Sequence, residues 1–178
     1  MNKIIPAKLL AKSRSKVLIS PLGLLVLAAC SGGNKSGDAN FLREGDLVKG
    51  PLKDALAFLD YDGDKLPSVG EPTIRSSADG SYSLTGAAGN ESANIVAITD
   101  SRTVDTASGT VLSGITLSAP ATASVVSMAS TLMVESSMTE AEVQAALGIS
   151  GDVDLLTFNP FSVAATATDA EKELAKNI

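Results

Sequence analysis

Residues 46–84 read DLVKGPLKDALAFLDYDGDKLPSVGEPTIRSSADGSYSL and carry the clearest indication of the fold. Its apolar runs, at residues 55–59 and 81–84, have the length of β-strands and are separated by Gly, Asp, Ser and Pro. Asp79-Gly80 is a strong turn signal, because Gly supplies a positive φ and Asp tolerates turn geometry. The stretch therefore predicts short antiparallel strands on either side of a polar loop.

The same pattern continues on both sides of this stretch. Ordered structure is expected to begin near Gly45, and a β-domain is expected over residues 45–118. Strands of this size, with turn signals at short intervals, indicate a small antiparallel β-sandwich or a partly open barrel. The predicted strands are residues 46–49, 55–59, 73–75, 81–84, 94–99 and 109–117.

Beyond Pro120 the pattern becomes helical, which predicts a helical segment over residues 119–178. The second of its helices is the best marked. Thr139 and Glu142 have the spacing of a capping box, and Gly148 stands where a C-cap belongs. The predicted helices are residues 121–135, 139–147 and 162–178. The fold class is thus mainly β with a helical C-terminal part, a small antiparallel sandwich followed by two or three helices.

The loop DYDGDKLPSVGE, residues 60–71, has acidic groups at its positions 1, 3, 5 and 12. This is the ligand spacing of a calcium loop, in which short carboxylates converge, position 7 gives a main-chain carbonyl and a longer carboxylate closes the shell. Four carboxylates so close together repel one another unless a hard cation neutralises them. The sequence predicts structural calcium, with the side chains of Asp60, Asp62, Asp64 and Glu71 and the carbonyl of Leu66 as ligands.

The flanks of this loop differ from those of an EF-hand. Pro72 follows Glu71 directly and little chain remains before Gly80, so strands are expected on both sides rather than helices. Lys65 stands where calcium loops use Gly and adds a positive charge, and Ser68 replaces a further Asp. Two other interpretations stay open: a solvated acidic turn without an ion, and a catalytic pair of carboxylates.

The run VKGPLKDALAFLDYDGD at residues 48–64, GEP at 70–72 and ADGSY at 78–82 carry a resemblance to known domains. They resemble the B-type repeat domains of bacterial surface adhesins and the related prealbumin-like and carboxypeptidase-regulatory-like sandwiches. In those families a strand leads into an Asp-rich calcium loop that ends in Gly-Glu-Pro, and an Asp-Gly-Ser-Tyr turn opens the next strand. The resemblance covers residues 46–84 and implies a prealbumin-like sandwich with the same calcium ligands. The segment after it is similar to the helical stretch that follows such modules in large bacterial surface proteins.

The start of the chain resembles a bacterial lipoprotein signal. Five basic residues and no acidic ones precede an apolar run that ends in Leu-Ala-Ala-Cys at residues 27–30. The run is too short and too broken to cross a bilayer stably. We therefore expect residues 1–29 to be a cleaved signal peptide, Cys30 to carry acyl chains that anchor the protein in a membrane, and residues 30–44 to be a flexible tether. Ser31, in place of Asp, favours the outer membrane.

Charge and composition restrict the function. Without residues 1–29 the chain keeps 9 basic and 20 acidic residues, a net charge of −11, which makes nucleic acid an unsuitable partner. The chain contains no His, which excludes a Ser-His-Asp triad, and has no glycine-rich phosphate loop. We therefore expect no enzyme, and only a hydrolase that uses two carboxylates stays open.

These observations favour a lipid-anchored, non-enzymatic envelope protein whose calcium-stabilised β-module serves binding, adhesion or spacing at the cell surface. The alternative is a periplasm-facing scaffold whose helical half docks a protein partner, with a purely structural acidic loop. The expected partners are the membrane, through the lipid on Cys30, and an envelope protein or surface ligand. The chain ends at Ile178 inside a predicted helix, so whether it is the front part of a longer protein stays open.

Overall fold

The computed structural model describes residues 40–149 and 151–162. In this part the chain is mainly β, with two helices after the strands, as the sequence predicts. The strands are β1 (Phe41–Val48), β2 (Leu52–Lys53), β3 (Leu56–Asp60), β4 (Thr73–Arg75), β5 (Ser81–Gly86), β6 (Asn94–Ile98), β7 (Val104–Asp105), β8 (Thr110–Val111), β9 (Thr116–Ala119) and β10 (Val125–Ser127). The helices are α1 (Met128–Ser136) and α2 (Glu140–Leu147). The third predicted helix lies outside the described residues, except for Ser162.

The strands form three small sheets with the orders β10-β1-β5, β4-β3-β6-β9 and β2-β7-β8. The strand pairings among the described residues are antiparallel except that of β10 with β1, which is parallel. In the four-stranded sheet, Ala57 stands opposite Ala97, which stands opposite Leu117. These three side chains share one apolar cluster with Leu47 and Leu84 of the three-stranded sheet β10-β1-β5. The sheets β4-β3-β6-β9 and β10-β1-β5 therefore face each other across a common core, as in a sandwich.

The opposite face of the four-stranded sheet is also buried. Phe58, Val96 and Ser118 alternate with the core positions, so they point away from the sandwich core, and each is at most 1% exposed. Helix α1 lies along the edge strand β9. The Ser118 amide donates to Thr131 Oγ1 (2.9 Å), and the Ser118 carbonyl accepts from Ser130 Oγ (2.9 Å). Side chains of α1 thus satisfy backbone groups that an edge strand otherwise leaves open.

Two glycine–aromatic pairs join β1 to β5. Gly45 stands opposite Tyr82 and Phe41 stands opposite Gly86. A Cβ at Gly45 would lie 2.8 Å from Tyr82 Oη, and one at Gly86 would lie 2.2 Å from the Phe41 ring. The Phe41 ring therefore occupies the space above Gly86, whereas the Ser124 carbonyl oxygen, 2.2 Å from a Cβ at Gly45, and the Tyr82 hydroxyl together fill the space there. Burial, reinforced by the neighbouring Asp46 carboxylate, raises the pKa of the Tyr82 hydroxyl well above its ordinary value.

The helices begin at capped residues. Ser127 caps α1 in a capping box with Ser130. For α2, the capping box of Thr139 with Glu142 and the left-handed C-cap at Gly148 are confirmed. The Thr139 amide and hydroxyl donate to the Glu142 carboxylate and lower its pKa. The helical part has its own apolar cluster, whose buried members are Ala129, Val143, Val153 and Leu155.

Three predicted elements differ from the structure. The strand predicted at residues 109–117 is divided between β8 and β9, because Gly114 has a φ of 77° and ends the extended conformation. The helix predicted at residues 121–135 begins only at Met128, since the preceding strand β10 pairs with β1. Strand β1 also begins at Phe41, before the expected start near Gly45.

Candidate metal centre

The acidic loop, residues 60–71, joins β3 to its antiparallel neighbour β4. The Leu59 amide donates to the Pro72 carbonyl at 3.3 Å and closes the base of the loop. The prediction that strands flank the loop on both sides is confirmed, and the arrangement is a strand–loop–strand rather than an EF-hand. The sheet thus fixes the two ends of the loop while its middle extends into solvent.

Short turns hold the aspartates at the start of the loop. Asp60 is the last residue of β3 and is only 6% exposed, and its Oδ1 accepts from the Gly63 amide at 2.8 Å. Asp62 is exposed, and its Oδ1 accepts from the Asp64 amide at 3.2 Å. Such side-chain turns are characteristic of Asp in tight loops. They orient both carboxylates without using their second oxygens.

Glu71 connects the two halves of the loop. Its Oε1 accepts from the Tyr61 amide at 2.7 Å, and its Oε2 accepts from the Ser68 amide at 2.8 Å. The side chain is partly buried and lies just before β4. Because each carboxylate oxygen has two lone pairs, both oxygens keep one for a further ligand. Glu71 can therefore support the loop and bind a cation at the same time.

Asp60, Asp62 and Glu71 form a carboxylate triad. Each offers an oxygen, and these oxygens all lie within 4.8 Å of one another. Oxygens bound to one calcium ion at about 2.4 Å are at most about 4.8 Å apart, so the triad has the dimensions of a cation site. Without a cation, each pair of charges repels by about 1 kcal/mol in water and more where solvent is excluded. The triad could hold a metal ion.

The other predicted ligands lie elsewhere in the loop. Asp64 is exposed and outside the triad, and its Oδ1 accepts from the Leu66 amide at 2.7 Å. The Leu66 carbonyl accepts a long hydrogen bond from Ser68 Oγ, 3.4 Å. Both residues stay predictions as ligands. Cys30 lies outside the described residues, and its lipidation likewise stays a prediction.

Lys65 has the left-handed backbone that calcium loops require at this position, with a φ of 61°. Its ammonium group forms an ion pair with Glu135, in the last turn of α1, seventy residues later in the chain. Sequence reasoning missed Glu135. The contact is not local, and the only signal of it is an unmatched Lys in the loop and an unmatched Glu at the end of a helix.

Asp100 shows how a carboxylate elsewhere in the fold is neutralised. Its Oδ2 accepts from Arg75 Nη2 at 2.5 Å, and its Oδ1 accepts from the Arg102 amide at 2.9 Å. The hydrogen bond from Arg75, followed by that from the amide, lowers the pKa of Asp100. In contrast, among the described residues the hydrogen bonds to the triad come from backbone amides, and its carboxylate oxygens lie within 4.8 Å of one another.

In the part of the chain that the structure describes, neither helix has the length and apolar composition needed to cross a membrane. Comparison with known proteins gives no matching family model, no similar curated protein and no similar solved structure.

Proposed function

We propose that the chain is a lipid-anchored, non-enzymatic envelope protein whose β-module is stabilised by calcium and serves binding, adhesion or spacing at the cell surface. The observation that carries the calcium part is the convergence of Asp60, Asp62 and Glu71 within 4.8 Å. A hard divalent cation suits this site because its donors are all oxygens. Calcium fits better than magnesium, since magnesium requires a near-ideal octahedral shell, whereas calcium accepts the irregular, larger shell that an open loop with a Glu carboxylate offers.

The role of the ion is structural. The triad lies at the end of β3 and just before β4, so a cation there joins two strands of the four-stranded sheet. It also neutralises the charges of the triad, which otherwise repel one another. Binding therefore orders the loop and stabilises the module, without any chemical step.

The anchor is supported by the sequence. The basic leader, the short apolar run and Leu-Ala-Ala-Cys at residues 27–30 resemble a lipoprotein signal, and Cys30 is the only cysteine. An anchored module with a net charge of −11 stays soluble, because its charge repels other acidic surfaces. Its task is then to present a surface on a tether, and no step of that task needs a catalytic residue.

Fractionation of cells that produce the chain tests the anchor. Cys30→Ser should move the protein out of the membrane fraction, whereas the matched control Ser31→Ala should leave it there. Retention of the Cys30→Ser protein would contradict the anchor. Protease added to intact cells then distinguishes the two locations: cleavage supports display at the surface, and survival until the outer membrane is broken supports the periplasm-facing scaffold instead.

A further inference from the structure

Lys65 is the only basic residue of the acidic loop, and it is paired outside the loop. Its ammonium group contacts Glu135 Oε2 on α1, and both side chains are about half exposed, at 41% and 39%. The carboxylates of the triad accept hydrogen bonds from backbone amides instead. The positive charge of Lys65 is thus paired with Glu135 of the helix rather than with the triad.

Glu135 is itself held in place by the sheet. Ser118 Oγ of β9 donates to Glu135 Oε1 at 3.4 Å, and the Ser118 amide is bound by Thr131 on the same helix. Glu135 lies in the last turn of α1, which contains no basic residue. A carboxylate at a helix C-terminus is unfavourable because the helix dipole is negative there. Lys65 offsets that charge from another part of the chain.

A free Lys65 side chain would have other anions within reach. It lies next to Asp64 and three residues from Asp62, and its ammonium group is on a flexible four-carbon stem. At the triad, an ammonium group would neutralise the carboxylates and repel a divalent cation. A Lys65 side chain that left Glu135 for the triad would therefore change the charge of the site.

We propose that Glu135 is a positioning residue for the cation site: it holds Lys65 away from the triad, so that docking of α1 and binding of calcium support each other. This inference rests on the proposed calcium function and adds the regulation of the same site. Because linkage is reciprocal, calcium should stabilise the docked position of α1, and any partner that displaces the end of α1 should lower the calcium affinity.

Calorimetric titration of calcium into the full-length protein in non-ionic detergent tests the inference. Glu135→Gln should weaken calcium binding by about three- to tenfold, the effect of one added positive charge near the ion. The control Glu44→Gln removes the same charge from strand β1, away from the loop, and should leave the affinity unchanged. In a Lys65→Met background, Glu135→Gln should change the affinity less than about twofold, because the competing ammonium group is gone. Thermal unfolding in chelator checks that each variant is folded.

Three outcomes would overturn the inference, and they are distinguishable. If the wild-type protein binds no calcium, the proposed function fails and the inference fails with it. If the wild type binds and Glu135→Gln binds equally well, only the inference fails. If Glu135→Gln weakens binding by the same factor in the Lys65→Met background, Glu135 acts through its own charge or through the fold and not through Lys65.

Discussion

The acidic loop and the turn after β7, residues 105–109, both hold Asp carboxylates with local hydrogen bonds, but they use these carboxylates differently. Asp105 is satisfied inside its own turn, where Oδ1 accepts from the amides of Ala107 and Ser108 and Oδ2 accepts from Ser108 Oγ. In the acidic loop, Asp60, Asp62 and Glu71 also accept from amides, yet their oxygens converge within 4.8 Å. Amide hydrogen bonds alone therefore do not mark a metal site; convergence of several charges on one point does.

The largest expected effect is stabilisation by calcium. At 100 times its Kd, calcium should raise the free energy of unfolding of the wild type by about 2.7 kcal/mol, because it binds the folded loop and not the unfolded chain. Asp62→Asn, if it binds about tenfold more weakly, should lose about half of this gain, and more if its binding is weaker still, whereas Asp105→Asn should keep it. Thermal unfolding in calcium and in chelator measures the difference. Equal gains for Asp62→Asn and Asp105→Asn would mean that calcium does not bind at the triad.

Without calcium, the effect of Asp62→Asn on the free energy of unfolding should change sign, whereas that of Asp105→Asn should stay small. Asp62→Asn removes one charge from the triad and should stabilise the protein in chelator by up to about 1 kcal/mol, because it relieves repulsion. Asp105→Asn keeps a carbonyl acceptor in a turn with no converging charges and should stay within about 0.5 kcal/mol of the wild type. Denaturant unfolding in chelator is the measurement. Destabilisation by Asp62→Asn would mean that the hydrogen bond to the Asp64 amide outweighs the repulsion.

The Arg75–Asp100 ion pair should make a smaller contribution to the free energy of unfolding, and its loss should be measurable at acidic pH. Its pairing lowers the folded-state pKa of Asp100, so its contribution to stability is fully present above the ordinary Asp pKa and is lost as the pH falls through the lower, folded-state value. Asp100→Asn should therefore lose less stability than the wild type on acidification below about pH 4. The effect is small because the side chain is 40% exposed and screened. Unfolding measured along a pH series checks it; parallel curves would contradict it.

Local signals in the sequence predict much of the fold. The turn at Asp79-Gly80 and the caps of α2 at Thr139 and Gly148 depend on residues within a few positions of one another, and they are confirmed. The parallel pairing of β10 with β1 joins segments far apart in the chain, so the pattern around Val125 suggested a helix instead. A left-handed Gly114 likewise has no distinct signal among the other glycines.

In the candidate site, too, the sequence predicts the local features and misses the long-range ones. The spacing of a twelve-residue loop identifies Asp60, Asp62 and Glu71, because the two flanking strands bring its ends together. It does not separate them from Asp64, whose carboxylate binds the Leu66 amide outside the triad. Nor does it identify Glu135, which reaches the loop only after α1 has packed on β9. What the sequence lacks is the tertiary placement of charges.

Calorimetric titration of calcium into full-length wild type, Asp62→Asn and Asp105→Asn shows whether the triad is a calcium site. Wild type and Asp105→Asn should bind calcium at a single class of site with similar affinity, and Asp62→Asn should bind at least about tenfold more weakly, since it loses one of three converging charges. Absence of binding heat from the wild type at millimolar calcium, or equal affinities in all three proteins, would contradict the account.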